Sequence, residues 1–98
     1  MLVNISMPAV AECEVNDCAY NNEMKCHARG ITIGDLSHPG CDTFLPAGHH
    51  THETVRIAGV GACKVATCKH NDDLECEADA IRVGRSGNAA ICKTFEKR

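Results

Sequence analysis

A cysteine spacing that occurs twice constrains this chain more than any other feature. Cys13, Cys18 and Cys26 follow the pattern C-x4-C-x7-C, and Cys63, Cys68 and Cys76 repeat it. A fourth cysteine completes each set: Cys41 lies fifteen positions after Cys26, and Cys92 sixteen after Cys76. Each fourth cysteine opens a similar tail, Asp42-Thr43-Phe44 in one copy and Lys93-Thr94-Phe95 in the other. The arrangement describes a four-cysteine module present in tandem.

Size explains why such a module needs its cysteines. Each copy has only about 40 residues, a length at which apolar burial alone seldom holds a fold and a metal or disulfides must help. Large core residues are scarce: the 98-residue chain has no Trp and only Tyr20, Phe44 and Phe95 as aromatics. Compartment decides between metal and disulfide. The first thirteen residues, MLVNISMPAVAEC, carry neither the basic start nor the apolar run of a secretory signal. No window approaches the roughly 20 apolar residues of a membrane span. The expected location is therefore cytoplasmic, where thiols stay reduced and a patterned set of four reads as a metal site. Four disulfides in a stapled structural protein are the alternative.

Taken in order, the chain divides into a tail (1–6), a first four-cysteine repeat (7–44), a linker (45–56) and a second repeat (57–98). Val10 and Val15 correspond to Val60 and Val65 and supply local packing around each site. After the second cysteine, Tyr20-Asn21-Asn22-Glu23 and His70-Asn71-Asp72-Asp73 read as tight turns, since Asn and Asp tolerate left-handed backbone. Asn21 and Asn71 are positioned to bond the main chain and shape the surroundings of the sulfurs. Ile31 and Ile33, with Ile81 and Val83, alternate with polar residues and are β-branched, which predicts a half-buried strand. Gly34 and Gly84 end those strands, and the stretches to the fourth cysteine, 35–40 and 85–91, read as unequal surface loops. The expected fold is a small metal-stabilised β-rich protein of two zinc-knuckle-like modules with little helix. Any helix is one turn near Ser37 or Ser86.

The run C-x4-C-x-[YH]-N-x4-C-x-A-x2-I-x-[IV], with its distant fourth cysteine and Thr-Phe pair, resembles the small bacterial four-cysteine domain known as domain-of-unknown-function family 1540. The resemblance covers nearly all of residues 13–44 and 63–95 and includes Asn21/Asn71, Ala28/Ala78 and Ile31/Ile81. It implies a short metal-binding-type domain, often in tandem, and no particular activity.

Ligand type then sets the chemistry. Four thiolates close a tetrahedral zinc site and leave no position for water, and closed sites are structural. Two zinc ions are expected, one on Cys13, Cys18, Cys26 and Cys41 and one on Cys63, Cys68, Cys76 and Cys92. Iron suits the same cage, and spacing leaves open whether the repeats exchange ligands. The His49-His50-Thr51-His52 tract invites a further metal, although its composition is that of a polar linker. His27, His38 and His70 are each unmatched between the copies and are expected on the surface.

Charge bears on partners. The net charge is −3; repeat 1 (7–48) has six acidic and two basic residues, and repeat 2 (57–98) six and seven. Nucleic-acid binding calls for a basic face, and only Arg82, Arg85, Lys93, Lys97 and Arg98 offer one. Protein partners or self-association are expected, with neither nucleic acid nor membrane. The chain lacks a C-x-x-C redox pair, a phosphate loop and a repeat-supported Cys-His pair, so it is read as non-catalytic. Metal storage or sensing through the thiolates and the His tract is the alternative to an interaction module.

Overall fold

The computed structural model describes residues 7–34 and 38–98. Nine strands form among the described residues: β1 (Ala9–Cys13), β2 (Asn21–Asn22), β3 (Lys25–Cys26) and β4 (Gly30–Ile33), then β5 (Gly59–Cys63), β6 (Asn71–Asp72), β7 (Glu75–Cys76), β8 (Ala80–Ser86) and β9 (Ala89–Cys92). No helix occurs among the described residues. Ser86 lies in β8 rather than in a helical turn, while Ser37 and the tail 1–6 fall outside the described residues. The expected alternation holds in the long strands: Ile31 and Ile33 are buried in β4, and Ile81 and Val83 in β8. Burying each such side chain is worth about 1.5–3 kcal/mol relative to leaving it exposed.

The repeats are not separate modules. The main sheet runs β4-β5-β1-β8-β9. β1, from the first repeat, pairs in parallel with β8 of the second, and β5 pairs in parallel with β4 of the first. β1 and β5 meet antiparallel at Ala9 and Gly59. Each repeat thus lends its first strand to the other. Residues around Gly40 and Cys41 then join the two ends of the sheet. Cys41 bridges Ile33 of β4, and Gly40 bridges Ile91 of β9. The Cys41 N–H donates to the Ala90 carbonyl at 2.8 Å, and the Gly34 N–H to the Gly40 carbonyl at 2.7 Å. These bridges close the main sheet into a ring. Val10, Val15, Val60, Val65 and Ile81 are the largest fully buried side chains, so one core serves both repeats. Gly34, at φ 100°, crosses this core so closely that an added Cβ would lie 2.2 Å from Val65 Cγ2.

Three local expectations are corrected. First, Asn21-Asn22 and Asn71-Asp72 are strand rather than turn. The turns lie two residues on, at Glu23-Met24 and Asp73-Leu74, with both central residues at positive φ in each. Second, 85–91 is no loop. β8 and β9 pair from Val83–Cys92 to Ser86–Ala89 around a two-residue turn, Gly87-Asn88, in which Gly87 takes φ 62°. Glycine at the first central position matches the twist of a hairpin. Third, the stretch read as a linker is fastened to the first repeat. Pro46 bridges Cys18, and the Thr51 N–H donates to the Ala19 carbonyl at 2.8 Å. In the second repeat Lys97 bridges Cys68 in the same way.

Candidate metal centre

Each knuckle brings its first and third cysteines together. The β2–β3 hairpin folds back on β1, and the Cys13 N–H donates to the Met24 carbonyl at 3.0 Å; the Cys63 N–H reaches the Leu74 carbonyl at the same distance. The second cysteine sits in the tight bend after Val15 or Val65, with Cys18 N–H to Val15 carbonyl at 3.1 Å and Cys68 N–H to Val65 carbonyl at 3.0 Å. The fourth cysteine arrives on the strand beside β4 or β8, opposite Ile33 for Cys41 and opposite Val83 for Cys92. Cys13, Cys18, Cys26 and Cys41 line one small void, and Cys63, Cys68, Cys76 and Cys92 line another. The strands are exchanged between repeats, but each set of four comes from a single repeat. The voids are about 10 and about 20 Å³, room for an ion or a water and too little for an organic ligand.

The buried Asn side chains take the structural role read from the sequence. Asn21 Nδ2 donates to the Cys13 carbonyl and Asn71 Nδ2 to the Cys63 carbonyl, both at 2.8 Å. Asn71 Oδ1 also accepts from the Leu74 N–H at 3.1 Å, which holds the turn. Peptide groups favour the thiolate at the same spacing in both copies: that of Ala28 at Cys26 and Ala78 at Cys76, and those of Thr43 and Phe44 at Cys41 and of Thr94 and Phe95 at Cys92. The Leu45 N–H lies 3.5 Å from Cys18 Sγ. The paired Ala and Thr-Phe positions thus mark backbone donors to sulfur, a meaning that side-chain identity alone does not reveal.

The family model Domain of Unknown Function (DUF1540) matches residues 12–54 and again 62–95. The chain belongs to this family, as a tandem pair. No curated protein and no solved structure matches it. The first DUF1540 match extends past Phe44 into the stretch that packs back on Cys18 and Ala19.

Opposing influences act on the DUF1540 thiols. Burial disfavours the thiolate and raises Cys26, Cys76 and Cys92, and pushes Cys41 up to about 11. The backbone donors pull the other way, and neighbouring cysteines of the same set raise the values further. All eight cysteines are free. Among the described residues, no three Cys, His, Asp or Glu side chains converge closely enough to hold an ion as placed. The four thiols of each set surround a shared void rather than meeting at a point.

The histidines depart from expectation in two places. His27 is buried, with Nδ1 2.7 Å from the Arg56 carbonyl and Nε2 3.1 Å from that of Asn22. His70 is half-buried, lines the void of the second repeat and pairs with Glu96 at 2.7 Å. His38 is exposed. In the His tract, His50 Nδ1 donates to the Asn21 carbonyl at 2.9 Å, while His49 and His52 are exposed.

Proposed function

We propose that each DUF1540 repeat is a structural zinc module and that the protein is a non-catalytic interaction or assembly scaffold. The observation that carries this reading is that the four cysteines of each repeat line one small void, with peptide groups beside them that favour the thiolate. A thiol gains little from such donors; a thiolate gains a great deal. Burial alone would keep these groups protonated, so the arrangement makes physical sense with a cation that offsets the desolvation. The donor set fits: four soft sulfurs, each set around a void of ionic size. Cys13, Cys18, Cys26 and Cys41 hold one ion and Cys63, Cys68, Cys76 and Cys92 the other. When bound, the ion supplies cross-linking rather than reactivity. Such binding is worth on the order of 10–16 kcal/mol, comparable to the stability of a whole small domain. The sulfur-lined voids are too small for a substrate, which favours a scaffold acting on protein partners or on its own copies.

Native mass spectrometry on protein purified under reducing conditions, before and after chelation, tests this. The expected result is two zinc ions per chain, lost together with the strand signal in circular dichroism. A metal-free folded chain, or an unreduced mass lower by one hydrogen per cysteine, overturns it. A stoichiometry well above two would point to storage instead.

A further inference from the structure

The third cysteine of each repeat meets opposite surroundings. Lys25, His27 and Arg29 flank Cys26, whereas Glu75, Glu77 and Asp79 occupy the matched positions around Cys76. The lead-in strand differs too. Ahead of β5, the Ala58 N–H donates to the Cys26 carbonyl at 2.9 Å. Pro8 stands in the matched position ahead of β1, and proline has no N–H to offer the Cys76 carbonyl. Around Cys26 the chain is sealed further by the bond from His27 to the Arg56 carbonyl. Around Cys76 a polar cavity of about 310 Å³ opens between Met7-Pro8 and Glu77-Ala78-Asp79. Cys26 is 7% exposed, and Cys76 is only half-buried. Cys41 is also part-exposed, but its N–H donates to the Ala90 carbonyl, and its neighbours Gly40 and Asp42 are bonded to Gly34 and Thr32 on the other side.

From this asymmetry, and resting on the zinc reading above, we infer that the two metal sites are kinetically distinct: the second repeat carries an exchangeable ion, surrendered at Cys76 to an incoming soft donor such as a thiol. A divalent ion on four thiolates forms a cage of net charge about −2, which basic neighbours stabilise and carboxylates oppose. The cavity admits the donor to Cys76. The step would be a ligand exchange without redox change: the incoming thiol would give its proton to solvent and bond the ion through sulfur, the Cys76 sulfur–metal bond would break, and the freed Cys76 sulfur would take up one proton from solvent. The first site, whose third cysteine is closed in by the Ala58 hydrogen bond and flanked by Lys25 and Arg29, keeps its ion and holds the fold during exchange.

The test follows zinc release from the two-zinc protein into excess 4-(2-pyridylazo)resorcinol, with parallel N-ethylmaleimide labelling read by peptide mapping. Release is expected in two phases of one ion each, separated by at least about tenfold, the rate equivalent of one hydrogen bond. The earliest label falls on Cys76. Pro8→Ala and, separately, Glu77→His with Asp79→Arg slow the fast phase towards the slow one. Single-phase release, first labelling within the Cys13–Cys41 set, or a fast phase untouched by both variants overturns the inference while leaving two structural sites intact. A chain that takes up no metal overturns the zinc reading, and this inference with it.

Discussion

At the scale of single residues, the side chains that define the sites act on main chain more than on sulfur. Asn71 holds the Cys63 carbonyl and the Leu74 N–H at once, and both Asn71 and Asn21 are buried. Asn71→Ala should therefore lower stability by about 1–3 kcal/mol, seen as a shift in the urea midpoint of the zinc-loaded protein. A surface-turn Asn would give a change several-fold smaller. The thiols make a second prediction, on pH. Cys41 rises from 9.0 to about 11 in the fold, and Cys26, Cys76 and Cys92 rise as well. Groups with raised folded values bind protons more tightly folded than unfolded. Whatever structure persists in chelator should lose stability as pH climbs from about 8.5 through about 11. With zinc bound the sulfurs carry no protons, whereas the unfolded chain carries them below about 8.5, so stability should rise with pH up to about that value and then level off. Urea midpoints should therefore climb towards pH of about 8.5 with zinc and fall above it without. The cysteines and the paired Asn were legible because repetition separates constraint from accident. His27 was not: it is a histidine in one copy only, and its burial depends on Arg56, which repetition does not connect to it.

At the scale of elements, short-range pattern predicted the strands and misplaced the turns. β-branched alternation marked β4 and β8 because side-chain period is a local property. The hairpin turns fall instead on Glu23-Met24 and Asp73-Leu74, although Met and Leu are poor at positive φ. Tertiary bonds from Asn71 and from the first-cysteine N–H override that preference. Leu74 is 51% exposed and sits at φ 65°, so Leu74→Gly should relieve backbone strain at little cost in burial. We expect a gain of about 0.5–1 kcal/mol by thermal or urea denaturation. A loss would mean that the exposed Leu74 side chain contributes contacts of its own. In the second repeat, Ser86-Gly87-Asn88 between apolar runs was the available sign of the β8–β9 hairpin, hidden by the expectation that both copies share a loop there.

At the scale of the whole molecule, the exchange of β1 and β5 is the feature that sequence pattern could not reveal. Alternation says which face of a strand is buried but not which distant strand lies beside it. A single repeat leaves its long strand without the parallel neighbour that the other supplies. Residues 57–98 produced alone should therefore pair with a second copy, each lending β5 to the other's β8. Light scattering should give twice the fragment mass, and a folded monomer would contradict the exchanged topology. No helix among the described residues is long and apolar enough to cross a membrane.

Strand exchange also bears on how such a chain can change over generations. Because each half completes the other's sheet, a half on its own must find its missing neighbour in a second copy. Fusion in one polypeptide fixes their ratio at one to one, which removes the pressure on both halves to stay identical. Residues at the rim can then drift apart under selection while the shared interior holds them in register. The opposite charges around Cys26 and Cys76 are a divergence that two identical subunits could never have acquired.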